Sequence, residues 1–266
     1  MRKSRQGRNG VQDATAKSIR AVERAVDVLR CLARGGGPLG VTDIQRDVKL
    51  SRPTLYRLLN ALERKGLVRS DGEPQRFALD YRVVELAGAW LGGNDVVAAA
   101  QPHLNALWLA TDETVAMFVP ADARTKICVQ ELRSRQALVF IRGVGFTEPT
   151  TVGSSGKAIL AFMPADDIAT ALADLPDEAA RETVRRDLAR IRRQGYSLSA
   201  GEIIKGASAM AAPVFDRFGH VRASVSVFGP EARLTGEHHA FCLRHLRQTA
   251  DAISAAVGYR AGAAAE

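Results

Sequence analysis

"SRPTLYRLLNALERKGLVR", residues 51–69, decides how the first third of this chain is read. Leu55, Leu58, Leu59 and Leu62 stand at i, i+3, i+4 and i+7, so a helix gathers them into one apolar stripe. Four arginines and a lysine share the stretch. Ser51 is a suitable N-cap, Pro53 is tolerated in a first turn whose N–H groups have no partner to lose, and Gly66 supplies the stop. Upstream, Thr42 with Gln45 three residues on reads as a capping box. It opens a shorter helix that ends near Lys49–Leu50. Two short helices joined by a tight turn, the second basic on the side opposite its leucines, form the pattern of a helix-turn-helix.

The neighbouring segments extend that pattern. Ser18 is placed to cap a helix over 18–33, with Val22, Ala25, Val26 and Leu29 at helical spacing, and "RGGGPLG" (34–40) breaks it. After Gly66, "LVRS" and "QRFAL" flank "DGEP", which reads as a hairpin wing. "YRVVELAGAWL" (81–91) returns to helical spacing, and "GGND" (92–95) marks a domain boundary. The residues before Ser18 are basic and polar with no apolar run, so a disordered arm over 1–17 is expected rather than a secretory signal.

Charge agrees with this division. Residues 1–90 hold 18 Lys and Arg against 10 Asp and Glu, whereas residues 91–266 hold 19 of each. The net charge of +8 therefore sits wholly in the first third. A charge run alone is as well explained by a solvated surface; one that coincides with a helix-turn-helix points to a polyanion. The 266 residues suffice for about two domains. No run approaches the roughly 18 apolar residues of a membrane span. Cys31, Cys128 and Cys242 are odd in number and far apart, which suits a reducing cytoplasm.

Beyond the boundary, helices and strands mix. Residues 96–110 read as a helix, and 114–119, 126–132 and 138–141 as strands. Helices follow at 155–163, 165–173 and 178–194. "RRQGYSL" (192–198) runs from a helix end into a strand, and two more strands meet at a turn over Arg217–His220. Thr235 opens a last helix to about Val257, and 259–266 is expected to be a flexible tail. An α+β domain (96–258) with a mainly antiparallel sheet follows.

Its chemistry is sparse. "GSSGKA" (153–158) fails as a phosphate loop because Thr151 stands where the first glycine belongs and Ala158 follows the lysine. It fails as a nucleophile elbow because Lys157 occupies the last glycine position. Gly153, Ser154, Ser155 and Gly156 either offer backbone N–H groups to a carboxylate or let a helix pack closely on the sheet. His238, Cys242 and His245 share a helix face but lack the further ligand or open position that zinc requires, and are read as structural. No Ser/His/Asp set stands out, so no catalytic residue, metal or cofactor is assigned.

The chain resembles the IclR family of bacterial transcriptional regulators. In its first part the likeness rests on "SIRAVERAVDVLRCLA", "GVTDIQRDVKLSRPTLYRLLNALERKGLVR" and the wing. In its second part it rests on "ETVAMFV", "VGSSGKAILAFMP", "IRRQGYSLS" and "AMAAPVFDRFGHVRASVSVFGP". It covers about residues 18–258. The resemblance implies a winged helix-turn-helix (18–80), a linker helix (81–95) and a C-terminal GAF-like effector domain. It also implies a homodimer or tetramer on a partly palindromic double-stranded operator, a small-molecule effector, a cytoplasmic location and no membrane. With the leucines turned inward, Arg52, Thr54, Tyr56, Arg57 and Asn60 face the DNA, joined by Thr42 and Ser51 at helix starts and by Arg69 and Arg76 on the wing. Arg64 and Lys65 read as solvated charge at the helix end.

Family members that sense small organic acids have an Asp after the "GY" pair, a Cys before "AAP" and two Ser before "GP". These positions read Ser199, Ala209, Ser226 and Phe228, and only Ser226 matches. The departures imply a more apolar effector pocket, suited to an aromatic acid, unless Phe228 fills it. Two other readings stay open: an architectural DNA binder whose second domain only oligomerises, and an enzyme tethered to DNA, against which the missing catalytic set argues.

Overall fold

The computed structural model describes residues 7–92 and 95–260. Two compact units divide between Leu91 and Gly92, at the start of the glycine-containing break. In the first, α1 (Gly7–Arg34), β1 (Leu39–Gly40), α2 (Val41–Val48), α3 (Arg52–Arg64), β2 (Val68–Asp71), β3 (Arg76–Leu79) and α4 (Arg82–Gly92) follow in order. Val28, Ile44, Leu55, Leu59 and Phe77 are fully buried, so α1, α2, α3 and β3 close on one small core. The α3 stop is a Schellman motif: Gly66 at φ +70 donates to Glu63 O, and the Leu67 N–H reaches Leu62 O.

Several local expectations need correction. Helix α1 begins at Gly7, within the expected arm, so Ser18 lies inside the helix rather than capping it. No proline interrupts 7–17, and extending an existing helix costs far less than nucleating one. Residues 1–6 of the expected arm, 93–94 of the break and 261–266 of the expected tail lie outside the described residues. Helix α2 is opened by the extended Gly40, and Thr42 is its second residue. The capping box is absent because β1 pairs with β3 and delivers the chain into the helix two residues early. A two-residue strand is too short to show a period. Leu58 is only partly buried, at the edge of the leucine stripe.

The second unit comprises α5 (Asp95–Thr111), β4 (Thr114–Pro120), β5 (Thr125–Leu132), β6 (Thr147–Pro149), α6 (Gly153–Leu160), α7 (Ala165–Ala173), α8 (Glu178–Gln194), β7 (Ser197–Ala200), β8 (Ala207–Phe215), β9 (Val221–Pro230) and α9 (Gly236–Ala256). Its sheet runs β6-β5-β4-β9-β8-β7 and is antiparallel throughout. The expected strand at 138–141 is instead irregular chain. Gly143 and Gly145 turn just after it at positive φ, and the carboxylate of Glu131 on β5 accepts from the backbone N–H groups of Arg142 (2.6 Å) and Gly143 (2.9 Å), tying the chain there to the sheet by a side chain rather than a ladder. The tail is not wholly free at residue 259, because Tyr259 stacks on Phe215 with ring centroids 5.2 Å apart.

Period-two alternation splits the sheet into two different faces. Val225 and Val227 join Met210, Leu107, Leu246 and Ile253 in the larger core, which α5 and α9 cover. On the other side Ser224, Ser226 and Phe228 run along β9, where Ala116, Phe118, Ile159 and Phe228 form a smaller apolar cluster beneath α6. That second face positions the cavity described below.

Candidate functional site

In the first unit, Pro53, Arg57, Asn60 and Arg64 lie at i, i+4, i+7 and i+11 on α3, and all are exposed. This stripe faces away from Leu55, Leu59 and Leu62. Arg64 thus shares the face of Arg57 although it lies two turns further along. Arg52 is exposed at the helix start. Ser51 is the α3 N-cap, yet its Oγ lies 2.9 Å from Thr54 Oγ1 rather than on a backbone N–H. Tyr56 is partly buried and sets its ring edge-on to Phe77 at 6.4 Å, so it belongs as much to the core as to the free face. Arg69 is exposed on β2. Arg76 is exposed on β3 but donates from Nε to Pro38 O (3.1 Å), which ties it to the loop before β1. Thr42 is exposed in the first turn of α2. At the helix–turn junction Lys49 takes the left-handed conformation (φ 52), strained for a residue with a Cβ, and donates to Gln45 O.

In the second unit, six of the eight expected effector residues line one cavity: Ser154, Ser155, Ser199, Ala209, Ser226 and Phe228. Cross-strand pairing explains the hollow. Ser226 is flanked by Ala116 on β4 and Ala211 on β8, and Phe228 by Ala209, so small side chains leave space beneath α6. The volume is about 40 Å³, room for a few waters and less than the roughly 150 Å³ that admits a benzene ring. Gly153 and Gly156 are not on its wall. A Cβ on Gly156 would stand 2.6 Å from Thr150 O, and one on Gly153 2.6 Å from Ile203 Cδ1. Backbone of Pro149 and Thr150 leaves Gly156 no room for a side chain, whereas Gly153 is called for by its φ of +73.

Polar groups on the wall differ in satisfaction. The Ser154 N–H donates to Ser199 Oγ (3.2 Å), and Ser224 Oγ donates to Ser155 O (3.0 Å). Ser226 Oγ is buried without a hydrogen-bond partner among the described residues. Such a group costs stability and calls for an explanation. The cavity also meets charged residues that sequence reasoning did not select. Arg142 Nε lies 3.0 Å from Glu148 Oε1, and the fully buried Lys126 places Nζ 3.1 Å from Glu148 Oε2. Burial pushes the Lys126 pKa down, against the pull of Glu148. Glu202, also on the wall, pairs with Lys157 (2.9 Å), which also meets Asp187 (2.9 Å). Burial works to lower the Lys157 pKa, but its two carboxylate partners outweigh it and hold the value above the ordinary lysine range. A lysine inside the strand run "KICVQEL" was a usable signal, since a charge on a buried strand demands a partner. Arg142, Glu148 and Glu202 stand on a loop, a short edge strand and another loop, where no periodicity marks them.

Nucleophilic and metal chemistry find little support. Burial pushes the Cys128 thiol, beside the cavity in the apolar cluster, up to about 12, so it stays protonated and inert. His238 Nε2 lies 3.5 Å from Glu113 Oε1 and 3.5 Å from Cys242 Sγ, while His245 Nδ1 lies 2.9 Å from Phe241 O. His238 and Cys242 therefore meet each other beside Glu113, while His245 is engaged separately. Glu113 is held mainly by Arg233, at 2.7 and 2.6 Å. Among the described residues no group of three His, Cys, Asp or Glu is arranged to hold a metal ion, and no helix is long and apolar enough to cross a membrane.

Comparison with known proteins covers both units. Residues 21–72 match the IclR helix-turn-helix domain, and residues 88–255 match the bacterial transcriptional regulator IclR C-terminal domain. The HTH-type transcriptional repressor AllR of Klebsiella pneumoniae is 28% identical over 96% of this chain and 97% of its own. An IclR transcriptional regulator from Alicyclobacillus acidocaldarius superimposes with a TM-score of 0.79 at 25% identity, covering 90% of this chain and 98% of that one. An IclR homologue from Microbacterium hydrocarbonoxydans, complexed with 4-hydroxybenzoate, gives a TM-score of 0.76 at 22% identity, covering 89% and 98%.

Proposed function

The chain belongs to the IclR family of transcriptional regulators, a family of DNA-binding proteins and not of enzymes, and from that premise we propose that it is a ligand-responsive repressor. A small organic acid in the cavity beneath α6 changes its hold on operator DNA. The observation that carries the ligand half is the buried, unpartnered Ser226 hydroxyl on the wall of a cavity that also carries an arginine. Repression follows the name of the AllR relatives.

On α3 the DNA contacts are Arg52, Arg57 and Asn60, flanked by Thr54 and Tyr56, with Thr42 and Ser51 at the helix starts and Arg69 and Arg76 on the wing. An exposed arginine one turn into a recognition helix reaches base edges or phosphates in the major groove. The working unit is a dimer, alone or paired into a tetramer, on a partly palindromic operator in the cytoplasm. Apolar side chains exposed on single elements support it: Ile19 (56%), Val22 and Val26 on α1, and Val84 (69%), Leu86 and Trp90 on α4.

The ligand is an acid with an apolar body. Phe118, Phe140, Phe228 and Ile203 supply an apolar wall, and an aromatic acid fits that chemistry. At about 40 Å³ the cavity must enlarge to admit a ring. The side chains of Ile203 and Ile204, on the loop between Gly201 and Gly206, are the part of the wall we expect to move. Enlargement on binding gives the ligand a differential affinity for two states, the requirement for shifting operator affinity.

Fluorescence anisotropy with DNA from the intergenic region beside its own gene tests both halves. Binding that weakens steeply with salt is expected, with a slope near −0.9 in log K against log salt for each phosphate neutralised. 4-Hydroxybenzoate is expected to change the affinity more than glyoxylate does, and a preferential response to glyoxylate overturns the aromatic-acid reading. A flat salt response removes the DNA reading; salt-sensitive binding unmoved by either acid leaves an architectural binder.

A further inference from the structure

Three charged side chains line the cavity, Arg142, Glu148 and Glu202, so among the described residues Arg142 is the one cation on its wall. At one side Glu202 is paired with Lys157, which also meets Asp187. At the other, Lys126 and Arg142 share the single carboxylate of Glu148. All three of the latter side chains are at least 85% buried, with exposures of 0%, 15% and 8%. Glu131, 3% exposed, lies beside them and accepts the Arg142 backbone N–H, so the buried charges balance, and a ligand anion has only Arg142 to meet on a wall that otherwise carries carboxylates.

The two cations are not equivalent. Lys126 is fully enclosed, and besides Glu148 its Nζ donates to Val152 O at 3.1 Å. Arg142 lines the cavity, meets Glu148 through Nε, and holds its guanidinium carbon 6.0 Å from the centroid of the Phe228 ring. Its backbone is pinned by the 2.6 Å bond from its N–H to Glu131, so the side chain is presented from a fixed base. A guanidinium has five donors in a planar fork that matches a carboxylate. If Arg142 turns to a ligand, Glu148 keeps Lys126, and no buried charge is orphaned.

Resting on the proposed ligand pocket, we propose that Arg142 is its specificity-determining residue: it reads the ligand carboxylate, and the pocket admits one negative charge and no second. Lys126 is the positioning residue that holds Glu148 while this happens. The Ser226 hydroxyl meets a second polar group of the same ligand.

Calorimetry on the full chain tests this with 4-hydroxybenzoate, its uncharged amide 4-hydroxybenzamide, the dianion terephthalate and the small monoanion glyoxylate. At least one monoanion is expected to bind at least tenfold more tightly than both the amide and the dianion. Arg142→Gln is expected to lose about ten- to a hundredfold for that acid, the size of a charge-assisted hydrogen bond, with amide affinity unchanged. Arg142→Lys, which keeps the charge without the fork, is expected to restore part of the loss. Unchanged circular dichroism and operator binding without ligand show that each variant is folded. Acid affinity that survives Arg142→Gln, or a wild type that binds acid and amide alike, overturns the role of Arg142 and leaves the pocket standing. A wild type that binds none of the four overturns the pocket reading, and this proposal with it.

Discussion

Ser224 and Ser226 stand two residues apart on the same face of β9, and their replacement by alanine should move stability in opposite directions. Ser224 Oγ donates to Ser155 O at 3.0 Å in a buried setting. Losing that bond costs about 1 kcal/mol. Ser226 Oγ is equally enclosed, at 2% residue exposure, but has no partner among the described residues. A buried hydroxyl left unsatisfied costs about 1–3 kcal/mol, which alanine relieves. The lost oxygen forfeits only a few dispersion contacts of roughly 0.1–0.2 kcal/mol each. The net expectation for Ser226→Ala is a gain of about 1 kcal/mol, or roughly 2–4 °C in melting temperature for a unit of this size. Ser224→Ala should lose a similar amount. Urea unfolding, followed by a signal from the second unit, checks both; the midpoint should rise for Ser226→Ala with an unchanged slope. The more stable Ser226→Ala protein should also bind its acid less well, the mark of a residue kept for function at a cost in stability. A Ser226→Ala protein that is unchanged or weaker refutes the reasoning, because the hydroxyl would then have a partner such as a bound water.

Two further outcomes concern the first unit. Arg57→Ala should weaken operator binding with unchanged circular dichroism; if Arg57 meets a phosphate, the salt slope should fall by about 0.9, and if it meets a base, discrimination at one operator position should relax. Normal operator affinity in that variant would remove Arg57 from the interface. Leu55→Ala, at a fully buried position, should cost about 2–5 kcal/mol by urea unfolding. Leu58→Ala should cost clearly less because its side chain is only partly buried, and equal losses would contradict the burial argument.

The helix-turn-helix was legible because its signals are local and redundant. Leucine spacing, Ser51, Pro53 and Gly66 all bear on one helix, and the observed Schellman motif at Gly66 uses the residue that the sequence offered. The capping box at Thr42 misled because a pairing between Gly40 and Arg76, 36 positions apart, set the start of α2. The strand expected at 138–141 misled in the same way: Glu131 accepts the backbone N–H groups of Arg142 and Gly143 just beyond it, a contact between residues eleven and twelve positions apart. On the cavity wall, Ser199, Ala209, Ser226 and Phe228 were accessible through family resemblance. Arg142 and Glu148 carried no such mark, for an arginine in a loop looks like any solvated arginine.

By itself, then, the sequence determined the two-part organisation, the identity of the recognition helix and the concentration of basic charge in the first part. Those properties depend on residue type and on spacings of a few positions, which chain connectivity preserves. Tertiary structure alone decided which polar groups are left unpaid. Among the described residues Ser226 lacks a partner because alanines flank it on two neighbouring strands, and Arg142 shares Glu148 with Lys126 because β5, β6 and a loop converge. Satisfaction of a buried charge or hydroxyl is a property of everything within about 3–4 Å of it, and residues brought that close by folding need have no relation along the chain.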